Sequence, residues 1–163
     1  MRTILSFICF CAAISLSAQP TELSAYDSVF EAAVKADKQV ILVFGHEYCG
    51  WCRIFDRYHA DPVISDILEP EYIIHEIDIL KSEEGRKLFD YYLFPGTPAW
   101  MIFNKDKKVL ADGKDENGRM VGYPYSQTEI AEYLSCIRET SRNIGDPQLE
   151  VLRQKLQEYG NSK

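Results

Sequence analysis

The chain has 163 residues, 46% hydrophobic and 26% charged, the composition of a globular protein and the length of one ordinary domain with extras. Its formal charge is −7, from 25 acidic against 18 basic residues, with no long run of one sign. An acidic surface repels phosphate backbones and anionic lipid, which argues against nucleic acid and membrane surfaces as partners.

The start of the chain differs in composition from the rest. Arg2 is the only charge before Glu22, an apolar run extends from Ile4 to Leu16, and Ser15, Ser17 and Ala18 are small. A basic start, a short apolar stretch and small residues near a cut site describe a secretory signal peptide over 1–18, too short to span a bilayer. No stable membrane insertion is expected once it is removed. Cys9 and Cys11 would leave with it, so three of the five cysteines, Cys49, Cys52 and Cys136, remain.

Next comes a helical stretch opening at Thr21 to Ser24, with Ala25, Val29, Ala32, Ala33 and Ala36 at the three- and four-residue steps of an apolar face. Val40 to Phe44 is a continuous apolar run that fits a strand buried on both faces. Gly45 ends it, and Cys49-Gly-Trp-Cys52 follows, opening a helix through Tyr58 with Ile54, Phe55 and Tyr58 on its buried side. Asp61-Pro62 reads as an N-cap with proline in the first turn of a further helix through Leu68. Tyr72 to Ile79 is a strand rich in β-branched residues. Ser82 to Tyr92 is helical, with Glu83 and Glu84 near its positive end.

Phe94 to Pro98 breaks the pattern, and Ala99 to Phe103 is a third apolar strand. Val109 to Val121 holds edge-strand material interrupted by the polar tract Gly113 to Gly118. A helix from about Gln127 to Arg138 closes the domain, and Asp146-Pro147 caps a last amphipathic segment carrying Leu149, Leu152, Leu156 and Tyr159. The order implies an α/β fold, a mixed sheet with helices on both faces. It divides as a signal over 1–18, a domain over 20–143 and a helical extension over 144–163.

A C-x-x-C pair where a buried strand meets a helix puts Cys49 at the helix N-terminus. Unpaired backbone N–H groups and the helix dipole stabilise a thiolate there. Thiolate is the attacking species in disulfide exchange, so Cys49 is the candidate nucleophile, and Cys52, one turn on, the resolving cysteine. A structural disulfide and a metal site are the alternatives; His46 with the two cysteines makes three soft ligands and no fourth is evident.

These residues give the chain a resemblance to the thioredoxin superfamily over about Glu22 to Glu139. It rests on Val40 to Phe44 leading into Cys49-Gly-Trp-Cys52, and on Thr97-Pro98 directly before Ala99 to Phe103. The resemblance implies a thioredoxin-like fold in which Thr97-Pro98 is a cis-proline loop that packs on the disulfide and offers its backbone to a substrate chain. The Asp61-Pro62 helix adds a similarity to exported thioredoxin-like thiol:disulfide interchange proteins. It implies a thiol:disulfide oxidoreductase with no cofactor beyond the Cys49–Cys52 disulfide, acting on exported client proteins, periplasmic or otherwise extracytoplasmic, with a membrane thiol relay as electron donor.

The chain departs from the resemblance at three places. Val43 stands where many thioredoxins have a buried Asp, which leaves the proton of the resolving cysteine to water, to Glu47 or to nothing dedicated; Glu47 otherwise reads as a solvated loop charge. Tyr48 replaces the usual Trp and is expected to pack beside the site. The Gly113 to Gly118 tract is longer than a thioredoxin requires. Between the cysteines, Gly50 and Trp51 add no side-chain donor to the thiolate, which favours a reducing couple, although Arg53 adds some positive charge. Trp51 is read either as a substrate contact or as a lid over the sulfurs. An oxidase or isomerase, a cytochrome-maturation specialist and a non-catalytic binding module remain the other readings. His59 and His75 are expected to be structural, and Cys136 a buried free thiol in the last helix of the domain.

Overall fold

The computed structural model describes residues 20–115 and 117–162. The signal segment with Cys9 and Cys11, together with Glu116 and Lys163, lies outside the described residues.

The apolar run forms β1 (Gln39–Gly45), whose Val40 to Phe44 are all at most 2% exposed. It is central because it is apolar on both sides. β2 (Tyr72–Asp78) runs parallel to it and β3 (Ala99–Phe103) antiparallel; β4 (Val109–Ala111) completes the order β2-β1-β3-β4. A parallel neighbour needs a crossover, supplied by α2 (Gly50–His59) and α3 (Pro62–Leu68). The remaining helices are α1 (Asp27–Ala36), α4 (Glu83–Tyr91), α5 (Gln127–Thr140) and α6 (Asp146–Asn161).

Alternation along the strands builds two cores. Ile41, Val43, Trp100 and Ile102 pack with residues of α2, α3, α5 and α6. Val40, Leu42, Phe44, Met101 and Phe103 pack with α1, α4 and a 3-10 turn at Thr21–Tyr26. The mixed sheet with helices on both faces is the expected one.

Local signals set most boundaries. Asp61 Oδ1 accepts the Val63 N–H at 2.8 Å and Ser82 Oγ accepts the Gly85 N–H at 2.9 Å, capping α3 and α4. Ser126 and Glu129 form a reciprocal capping box on α5.

Two expectations need correction, and a third, the interrupted edge strand, gains detail. The first helical stretch begins as the 3-10 turn, and its buried stripe is Leu23, Tyr26, Phe30 and Ala33, while Ala25, Ala32 and Ala36 are exposed. Larger side chains bury more apolar area per position, so they, and not the alanines, face the sheet. Within Val109 to Val121 only β4 forms, followed by a single Lys114–Met120 bridge. The tract between folds on itself, with the Asp115 carboxylate accepting the N–H groups of Asn117 and Arg119, both at 2.9 Å. Gly113 there has φ +66°, and a Cβ would lie 2.5 Å from the Trp100 carbonyl oxygen, so only glycine lets the chain cross so close. At the last helix the N-cap is Gly145, not Asp146, whose carboxylate pairs with Arg138 instead.

The last helix packs on the domain. Leu152 and Leu156 are fully buried, the Tyr123 hydroxyl donates to the Leu156 carbonyl at 2.6 Å, and the Tyr159 hydroxyl donates to Asp61 Oδ2 at 3.0 Å.

Candidate active site

Gly45 ends β1 beside the first turn of α2. A Cβ there would lie 3.1 Å from Cys52 Sγ, tighter than ordinary van der Waals contact, so glycine makes the room for the sulfur. The chain turns through 46–48, and Cys49 takes the N-cap of α2 in an extended conformation. The Cys52 N–H donates to Cys49 Sγ at 3.1 Å. The two cysteines are joined by a disulfide; Cys49 is 9% and Cys52 3% exposed. On reduction the same N–H faces the Cys49 thiolate, where a helix N-terminus favours negative charge.

The Thr97-Pro98 bond is cis, and the Thr97 carbonyl oxygen lies 3.5 Å from Cys49 Sγ. Gly122 backs this corner, since a Cβ there would stand 3.0 Å from the Pro98 carbonyl oxygen, and its own carbonyl accepts the Trp100 indole N–H at 3.1 Å. The next residues reach Trp51, which stacks on Tyr123 (centroids 5.4 Å apart, planes 15° apart) and tilts against Tyr125. A single segment, 122–125, therefore supports the proline corner and holds Trp51.

The other predicted site residues are placed as follows. Gly50 opens α2, and a Cβ there would meet only the Arg53 guanidinium, at 4.0 Å. Tyr48 is 75% exposed, which corrects the expectation that it packs beside the site. Its ring is 6.3 Å from that of His46. Glu47 is exposed and pairs with Lys81 at 3.4 Å, while its carbonyl accepts the Arg53 guanidinium at 2.9 Å. Among the described residues no group of three or more His, Cys, Asp or Glu is arranged to hold a metal. His59 is buried against Phe55, ring centroids 4.2 Å apart, and burial pulls its pKa down to about 3, which keeps it neutral. Cys136 is free and half-buried, its thiol pushed up to about 11, first by burial and then by the charge of Glu139.

Behind Cys52 lies a cavity of about 290 Å³ lined by Val43, Gly45, Cys52, Arg53, Asp56 and Glu76, with His46, Glu47 and Asp78 at its edge. Sequence reasoning missed Asp56 and Glu76. Asp56 was findable as the residue one helical turn beyond Cys52, on the same helix face. Glu76 had no such signal, because it reaches the cavity through the β1–β2 register, which places it opposite Val43. The two carboxyls line the same cavity and each affects the other's titration. Partial burial raises the Asp56 pKa against a smaller lowering by Glu76; partial burial and the Asp56 charge raise that of Glu76.

No family model and no curated protein matches the chain. Among solved structures it is similar to a disulphide isomerase from Xylella fastidiosa Temecula1, at 22% identity and TM-score 0.54, over 78% of this chain and 100% of that one. It is also similar to a thioredoxin-fold protein from Helicobacter pylori (17% identity, TM-score 0.45, 78% and 87% of the two chains). A DsbH oxidoreductase matches at 16% identity and TM-score 0.47, over 85% of this chain and 95% of that one. At these identities the likeness is one of fold. The chain has the thioredoxin-like fold.

Proposed function

We propose that this chain is an exported thiol:disulfide oxidoreductase that reduces disulfides in other exported proteins. The observation that carries the reading is Cys49 at the N-cap of α2, with the Cys52 N–H on its sulfur and the Thr97 carbonyl oxygen 3.5 Å away. In the reduced protein the Cys49 thiolate attacks one sulfur of a client disulfide, and the client's other sulfur leaves as a thiolate and takes up a proton. Cys52, having lost its own proton, then attacks Cys49 Sγ. The Cys49–Cys52 disulfide forms, the second client sulfur is released, and two electrons have passed from the pair to the client.

The Thr97-Pro98 corner supports this by presenting backbone at the reacting sulfur, where an extended client chain can lie. Trp51, between the two cysteines in the chain, is held on Tyr123 and Tyr125. The reducing direction is supported by what surrounds Cys49. The dipeptide between the cysteines, Gly50-Trp51, contains no histidine or charged side chain to stabilise a thiolate, and the Arg53 guanidinium is engaged with the Glu47 carbonyl. A thiolate held mainly by a helix N-terminus is less stabilised, which leaves the disulfide the more stable state. Export is supported by the pattern over 1–18, and a reductase in an oxidising compartment needs a thiol relay through the membrane to recharge it. Among the described residues no helix is long and apolar enough to cross a membrane.

Two measurements test the reading. Equilibration with glutathione should give a reversible couple more reducing than glutathione itself; a couple on the oxidising side would reverse the direction, and an inert pair would remove the enzyme. Cys52→Ser should accumulate mixed disulfides with clients in an extract of the native compartment. An extract that yields none, from a protein that still exchanges with glutathione, would remove the client proteins from the proposal.

A further inference from the structure

The second half of the reaction needs a base. Cys52 is 3% exposed and must lose its thiol proton before it can attack Cys49. The strand position that faces it, Val43, has none to offer. The cavity behind Cys52 does.

We propose that Asp56 and Glu76 form a carboxyl pair that takes the Cys52 proton, through water in the cavity they share with it. The inference rests on the oxidoreductase reading above and concerns its resolving step. Three placements carry it. Asp56 lies four residues beyond Cys52 on α2, on the same helix face. Glu76 pairs in register with Val43, and Asp78 with Gly45; partners in a parallel ladder project to the same face, which here is the α2 face, since Val43 packs in the core with α2 residues. Cys52, Asp56 and Glu76 all line the one cavity of about 290 Å³. A water occupies roughly 30 Å³, so that volume holds a bridging chain.

Two neighbouring carboxylates titrate as a unit, and the first proton they accept, which they can then share, is held more tightly than by a lone carboxylate. Partial burial acts on both groups in that direction, and the Asp56 charge adds to it at Glu76. The other acids at the cavity edge are differently placed, because Lys81 forms ion pairs with both Glu47 (3.4 Å) and Asp78 (3.3 Å). Neither Asp56 nor Glu76 forms an ion pair among the described residues. The remaining charged or titratable groups facing the pair are Arg53 and Arg57 along α2, His46 at the end of β1, and Lys38, His59, Glu69 and Tyr72 on the side away from Cys52.

The balance is simple. The Cys52 thiol gives its proton to the pair, which gains one positive charge; the thiolate forms the bond to Cys49 Sγ as the Cys49–client bond breaks; the pair then returns the proton through solvent to the departing client thiolate.

The test follows the resolving step alone. The reduced protein is converted to a Cys49–glutathione mixed disulfide, and release of glutathione by Cys52 is timed from about pH 4 to pH 9. The wild-type rate should show an inflection above the ordinary carboxyl range, in addition to the titration of Cys52 itself. Asp56→Asn/Glu76→Gln should lose that inflection and close about tenfold more slowly at neutral pH, since a positioned base contributes roughly 10²–10⁴-fold and a water-bridged one less. Glu76→Asp should restore it. Glu76→Gln alone, at an exposed rim position, keeps the fold and should lower the rate in the same direction. Variant profiles that superimpose on the wild type would overturn the relay. So would an inflection that survives the double change and disappears in His46→Gln, because the buried His46 Nδ1 has no hydrogen-bond partner and borders the same cavity. A wild-type protein that never closes on the mixed disulfide would instead defeat the oxidoreductase reading.

Discussion

Leu152→Ala tests whether the last helix belongs to the domain that carries the site. Leu152 is 0% exposed and sits in the core shared by α2, α3, α5 and the sheet. Truncation removes three carbons' worth of transfer energy, about 2.4 kcal/mol, and leaves a cavity whose walls are the backs of other helices. The total should be about 3 kcal/mol, within the roughly 2–5 kcal/mol seen for buried leucine. In a domain of this size that lowers the melting temperature by about 6–12 °C. Urea unfolding followed by both far-UV circular dichroism and tryptophan fluorescence is the assay. The wild type should lose both signals together, and the variant should shift the midpoint with an unchanged slope. A loss below about 1 kcal/mol, or a wild-type transition in which helix signal leaves first, would mean that α6 is an attachment and that the packing reasoning is wrong.

Two further outcomes follow from the same contacts. In the reduced protein Cys136 should react with iodoacetamide about a hundredfold more slowly than an ordinary thiol at neutral pH, because its value of about 11 lies two pH units above the usual 9.0 and the thiolate is the reacting form; mass spectrometry after a timed pulse should find Cys49 modified first, and comparable labelling of Cys136 would contradict its burial. Glu71 is buried and, although burial alone would raise its pKa, hydrogen bonds from the Arg142 N–H, Asn143 and the Arg142 guanidinium hold it below 4.5. Its contribution is therefore complete above the unfolded-state value and is lost as pH falls through the lower folded one; Glu71→Gln should cost about 1–3 kcal/mol at neutral pH and flatten the acid limb of stability measured by urea midpoints, and an unchanged acid limb would rule out this source.

Local chemistry made much of the site legible in advance. Cys49 caps α2 because the strand before it ends in glycine, and Thr97-Pro98 meets it because a strand begins at Ala99. Trp51 shows the limit. Its partners Tyr123 and Tyr125 lie more than seventy positions downstream in the chain, and nothing in the residues around Trp51 names them. Tyr48 was misjudged for a related reason: whether a loop aromatic packs depends on what stands opposite, and there it meets solvent.

By itself the sequence determined what depends on near neighbours and on pattern. Period two or continuous apolarity made strands, caps and prolines started helices, and four residues placed two sulfurs within bonding reach at a helix start. Only the tertiary structure decided what depends on register and on chains meeting from far apart. The parallel pairing of β1 with β2 sets Glu76 against Val43, and α2 lays Asp56 beside it. The missing acid of the strand is thus answered from a neighbouring strand and a helix, because a cavity behind a sulfur is lined by whichever elements pack there, whatever their distance in the chain.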